Sequence, residues 1–105
     1  TDNRRLPPLG SLRVFVAAAR SQSVTGAAAE LHLTHGAVSH QLRQLQDQLG
    51  VALFERHGRG LKLTAQGAVY AEQVARALGE IGQATEQLLA MRDYRRLRVS
   101  CMPSF

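Results

Sequence analysis

Ser23-Val24-Thr25-Gly26-Ala27-Ala28-Ala29-Glu30-Leu31, then His32-Leu33-Thr34, then His35-Gly36-Ala37-Val38-Ser39-His40-Gln41-Leu42-Arg43-Gln44-Leu45, is the stretch whose reading decides the fold. It predicts a helix, a three-residue turn and a second helix. Alanines at 27, 28 and 29 let the two helices approach closely, with Leu31, Leu33, Val38 and Leu42 placed to close over the contact, which is the logic of a helix-turn-helix. At about 3.6 residues per turn, Val38, Leu42, Leu45 and Leu49 form one apolar stripe, and Gly36, Ser39, His40, Arg43 and Asp47 lie on the far side. Thr34 stands at the N-cap, where its hydroxyl can accept from the N–H of Gly36 or Ala37, and Gly50 suits a left-handed residue just past Leu49. The second helix is expected from His35 to Leu49. One face anchors it and the other is free to read a major groove.

Upstream, Leu12, Phe15, Val16 and Ala19 mark an amphipathic helix from about Leu9 to Ser21, expected as a brace behind the two-helix unit. Downstream, Val51 to Arg56 and Leu61-Lys62-Leu63 flank the tip His57-Gly58-Arg59-Gly60, predicting a hairpin. A hairpin beside a helix-turn-helix is a wing. Arg59, between two permissive glycines, could then reach a minor groove where negative potential concentrates.

Thr64 can cap the next helix, expected from about Ala65 to Arg92 and about 42 Å long, too long for a small domain's own core. Gly67, Ala71, Val74, Leu78, Ile81, Thr85 and Leu88 recur at steps of four and three, a seam that calls for a partner helix, most simply that of a second copy. Gly67 and Ala71 would let the two helices come close. Gly79 and Gly82 weaken the isolated helix by about 1 kcal/mol each relative to alanine. Leu97-Arg98-Val99-Ser100-Cys101-Met102 alternates like a first strand, with Pro103-Ser104 as its exit turn. The expected organisation is a mainly α protein: a winged helix-turn-helix over 1–64, a linker and dimerisation helix over 65–94, and the start of a truncated α/β effector domain over 95–105.

The 105 residues hold 13 Lys and Arg against 8 Asp and Glu, a formal charge of +5. This favours a polyanionic partner, nucleic acid first. All four histidines, with Arg43, Arg56, Arg59 and Lys62, fall between Leu31 and Thr64. A single cysteine, Cys101, excludes an intramolecular disulfide and a cysteine-based zinc site, and a small residue in a strand is its expected role. No apolar run approaches the roughly 20 residues a bilayer crossing needs, and no secretion signal is visible, so a soluble cytoplasmic protein is expected, associated with the nucleoid when bound. A start at Thr1 and a stop after Phe105 suggest processing at one end and truncation at the other.

The run Ser23 to Leu31, with Ala37-Val38-Ser39-His40-Gln41-Leu42, Leu49-Gly50, Leu53-Phe54-Glu55-Arg56 and Leu63-Thr64, resembles the N-terminal region of LysR-type bacterial transcription regulators. The match is close over about Leu9 to Thr64 and looser beyond. Leu6-Pro7-Pro8-Leu9, Ala17-Ala18-Ala19-Arg20 and Thr34 to Ser39 resemble the branch with the glycine-cleavage, tryptophan-synthase and β-lactamase regulators. The resemblance implies a winged helix-turn-helix on double-stranded DNA, a dimerising linker helix, and a C-terminal domain that takes a small-molecule co-inducer at full length. No cofactor or metal is expected in this stretch, and the resemblance further implies homodimers that can pair into tetramers. Positions matching His35, Gly36, Ser39 and His40 would enter the major groove, joined by Arg43 on the same exposed face, and Arg59 the minor groove. Ser23, Thr25, Thr34, Gln41, Arg56, Lys62 and Thr64 would meet phosphates. Ser104 matches a position at the mouth of the effector cleft. The chain departs from the family's commonest wording at His35-Gly36, where Gln-Pro is usual, at His40, where Arg is frequent, and at His32, where a helix-turn-helix prefers glycine.

Two other classes are weaker. A metal-dependent enzyme built from His35, His40, His57 and Asp47 fails on geometry, since His35 and His40 diverge by about 140° on a helix and metal pairs want a spacing of three or four. No nucleophile-base pair or phosphate loop is present. A winged-helix module that only assembles proteins is the alternative reading. The exposed Ser39, His40 and Arg43, with Arg59 and Lys62 in the wing, favour DNA.

Overall fold

The computed structural model describes residues 6–58 and 60–101, the last four by their backbone course. The order is α1 (Leu9–Ser21), α2 (Val24–Leu31), α3 (His35–Leu49), β1 (Phe54–His57), β2 (Gly60–Leu63) and α4 (Ala65–Cys101). The chain divides into two compact units, the first ending at Ala75 and the second beginning at Arg76.

In the first unit the expected helices form between the residues that the caps and periodicities mark. Ser23 Oγ accepts from the Gly26 N–H at 3.0 Å and Thr34 Oγ1 from the Ala37 N–H at 3.1 Å, each replacing a partner that the first helical turn lacks. Gly50 ends α3 at φ +67°. His32 adopts the left-handed conformation at φ 57°, doing in the turn what glycine does at lower cost. Its N–H reaches back to the Ala28 carbonyl, which satisfies the end of α2.

The core is centred on α1, so the helix expected as a brace is the hub. Phe15 is fully buried, its ring 5.4 Å from that of Phe54 at a steep angle and 5.5 Å from that of Tyr70. Ala18, Ala27 and Val38 are likewise at 0% exposure, and Leu12, Leu42, Leu45 and Leu53 pack with them. Of the three alanines only Ala27 and Ala28 are buried between the helices; Ala29 and Leu33, expected at the contact, are on the surface.

β1 and β2 pair antiparallel, with Phe54 opposite Leu63, Glu55 opposite Lys62, Arg56 opposite Leu61 and His57 opposite Gly60. The wing is fastened at two points, near its tip and at its base. The Leu61 N–H donates to the Gln22 carbonyl at 3.1 Å, and the Thr64 N–H to the Leu53 carbonyl at 3.0 Å.

α4 begins inside this unit, and here the expected seam is corrected. Gly67, Ala71 and Val74 are buried against the chain's own core. A β-carbon at Gly67 would lie 2.1 Å from the Leu53 carbonyl oxygen, so its missing side chain serves an approach within the chain. These three positions are not free for a partner helix. The compact unit thus includes the first three turns of α4.

In the second unit α4 continues to Cys101, with every residue from Gly79 to Leu97 exposed. The strand expected over 97–102 is helix as far as 101. A strand needs a neighbour for its backbone groups, and the only strands among the described residues are β1 and β2, paired with each other; a helix satisfies those groups by itself. Met102 and the Pro103-Ser104 turn lie outside the described residues, as do the side chains of residues 98–101.

Candidate nucleic-acid interface

α3 presents the polar outer face that its sequence implies. His35, Gly36, His40 and Arg43 are exposed and Ser39 is half-buried, while Val38, Leu42 and Leu45 hold the opposite face in the core. A β-carbon at Gly36 would meet nothing within 4 Å, which leaves the start of the helix open for close approach. The N-terminus of α3 carries the positive end of its dipole, suited to a phosphate.

The wing and the start of α2 converge on this face. Ser23, Thr25, His35, Ser39, Arg56 and Gly58 are among the residues that line one groove of about 350 Å³, bounded by the starts of α2 and α3 and by the hairpin. A second groove of about 260 Å³ runs between α3 and β1 past Ser39, Arg43, Gln46, Glu55 and Arg56. Thr25, Thr34, Arg56 and Lys62 are exposed, and Gln41 is half-buried with the Ser11 hydroxyl 3.5 Å from its Oε1. Ser23 and Thr34 cap their helices as acceptors, so each keeps its hydroxyl proton to offer.

Thr64 does not. Its hydroxyl donates to the Ala52 carbonyl at 2.8 Å and accepts from the Gly67 N–H at 3.0 Å. In the DNA-free chain these two bonds make the Thr64 hydroxyl a join between wing and α4. Arg59 lies outside the described residues. Its neighbour Gly58 has φ +61°, which bears out the glycine expected there.

Two features escaped sequence reasoning. Gln46, on α3, bonds to the backbone at the start of the wing, and Gln22 takes φ 55° while its carbonyl receives β2. A glutamine at the edge of an apolar stripe, seven residues before a buried leucine, was the available signal for the first. None existed for Gln22.

Of the remaining seam positions, Leu78 is half-buried, and Ile81, Thr85 and Leu88 are exposed. The Thr85 hydroxyl donates to the Ile81 carbonyl one turn back. Among the described residues no group of three His, Cys, Asp or Glu is arranged to hold a metal, and no helix is long and apolar enough to cross a membrane.

Comparisons with known proteins agree with this geometry. The chain is 47% identical over 103 residues to the glycine cleavage system transcriptional activator of Escherichia coli K12, covering 98% of this chain and 34% of that protein. It is 62% identical over 65 residues to the transcriptional regulator TrpI of Pseudomonas aeruginosa, covering 62% of this chain and 22% of that one. The chain thus spans about a third or less of these relatives, which are named as regulators of transcription and not as enzymes. Among solved structures, a CbnR DBD–DNA complex superposes with a TM-score of 0.73 at 31% identity, covering 82% of this chain and 99% of that one. The model of the bacterial regulatory helix-turn-helix proteins of the lysR family matches residues 9–68. With that family match over more than half of its length and a relative 47% identical over 98% of it, this chain belongs to the LysR family.

Proposed function

We propose that this chain is the sequence-reading and dimerising part of a transcription regulator. α3 enters the major groove with His35, Gly36, Ser39, His40 and Arg43 at base edges. Ser23, Thr25, Thr34, Gln41, Arg56 and Lys62 meet phosphates, which set position while base edges set identity. Arg59 enters the minor groove from the wing tip. The observation that carries this reading is the groove that gathers the starts of α2 and α3 and the wing around exposed donors, on a chain of net charge +5. The relatives and the DNA-bound neighbour support it by name.

Dimerisation falls to the part of α4 beyond Ala75. Leu78, Ile81, Thr85 and Leu88 make the seam there, and two copies then address two half-sites on one face of the duplex. At full length, a small-molecule co-inducer bound by a C-terminal domain, and pairing of dimers into tetramers, complete the regulator in the cytoplasm.

Duplex binding should weaken linearly with log salt, with a slope of about −0.9 per neutralised phosphate, and a flat dependence refutes phosphate-led docking. Arg59→Ala should lose affinity mainly at A·T-flanked sites, and an equal loss on all sequences demotes Arg59 to a phosphate contact. Ile81→Arg should convert the dimer to monomer in sedimentation. A variant that still sediments as a dimer removes Ile81 from the seam.

A further inference from the structure

Gln46 is a half-buried polar residue of α3, three positions after Arg43 and seven after Ser39, and so on their side of the helix. Its carboxamide is used at both ends. Oε1 accepts from the Leu53 N–H at 2.8 Å and the Phe54 N–H at 3.2 Å, while Nε2 donates to the Leu42 carbonyl at 3.3 Å, one turn back. Phe54 opens β1, and Leu53 is only 2% exposed. A backbone N–H buried at that point needs an acceptor, and the side chain of the recognition helix supplies it.

The consequence is mechanical. The Leu53 carbonyl in turn receives the Thr64 N–H, which closes the base of the hairpin. One carboxamide therefore ties α3 to both ends of the wing, directly at Leu53 and Phe54 and through Leu53 at Thr64. The groove containing Arg43, Glu55 and Arg56 has Gln46 in its wall, so its width depends on that tie. We propose that Gln46 is a positioning residue for sequence discrimination: it holds the wing at a set distance from the recognition helix, so that base preference on the wing-facing flank depends on a residue that touches no base. This rests on the DNA-reading function proposed above.

Two variants separate the roles. Gln46→Met keeps length and removes the acceptor; Gln46→Glu keeps an acceptor for both N–H groups and gives up only the Nε2 donor. Amide exchange in the DNA-free chain comes first, with Leu53 and Phe54 expected to be protected, and to exchange about ten-fold faster in Gln46→Met while Val38 and Leu42 hold their rates. Selection from a duplex library randomised at central and flanking positions follows. Gln46→Met should lose about ten-fold of its discrimination at the flanks and keep its central preference, and Gln46→Glu should restore the flanks.

Equal losses at centre and flank, or an unaltered flank preference in Gln46→Met, overturn the proposal. If Gln46→Met does not fold, rapid exchange of Leu53 and Phe54 in the unaltered chain, or loss of flank preference in Gln46→Glu, overturns it instead. An unaltered chain that enriches no sequence strikes the DNA-reading function itself. Protection at Leu53 and Phe54 then still decides whether the tie exists, so the two failures are told apart.

Discussion

The first three turns of α4 and the turns that follow carry the same apolar repeat, yet only the first three are fully covered, Leu78 being half-buried and the positions after it exposed. Gly67, Ala71 and Val74 sit against the core of the winged unit, whereas Ile81, Leu88, Met91, Tyr94 and Leu97 are exposed. A periodic stripe reports that a face is apolar and says nothing of what fills it. In the first unit the chain fills it; in the second, a partner copy is the proposed occupant.

The largest test of this contrast is truncation on either side of it. Phe15→Ala removes the ring that meets Phe54 and Tyr70 and should cost about 3–5 kcal/mol. Leu88→Ala, in chains dilute enough to be single, should stay within about 0.5 kcal/mol. Urea unfolding measures both. Comparable costs would mean that the later turns of α4 are packed within one chain.

Glycine substitutions probe the same boundary at closer range. Gly67→Ala drives a methyl into the Leu53 carbonyl and should destabilise by about 3 kcal/mol. At Gly79 a β-carbon meets nothing within 4 Å, so Gly79→Ala should stabilise the helix by about 1 kcal/mol. Opposite signs in thermal unfolding sharpen the comparison, and like signs break it.

The smallest effect is a pH dependence confined to the covered side. Burial pushes the Tyr70 phenol above its ordinary value near 10.0, because the phenolate is disfavoured there. The folded-state value is raised, so the contribution to stability is fully present below about pH 10 and fades as pH rises through the raised value. Tyr70→Phe should flatten the melting temperature above pH 10, by an amount limited by the ring's partial exposure. An unchanged slope would assign the loss to other groups.

Much of the candidate site's geometry was legible because it is local. Thr34 capping α3, His40 exposed opposite the buried stripe, and glycine at 58 each depend on residues within a turn or two. Gln46 was not legible in the same way, since its partners Leu53 and Phe54 are defined only once the chain has doubled back. Thr64 was half-legible. Its capping bond to Gly67 is local, but its bond to Ala52 spans twelve residues.

By itself the sequence determined where α1, α2 and α3 begin and end, where α4 begins, which face of α3 is apolar, and that a hairpin follows, because caps, periods and turn residues act over a few positions. Tertiary structure alone decided that α1 is the hub, that Gly67 serves an approach to Leu53, that α4 remains helical through Cys101, and that a glutamine joins wing to helix. Those outcomes depend on which surfaces meet, and a surface acquires its partner only when the chain is packed.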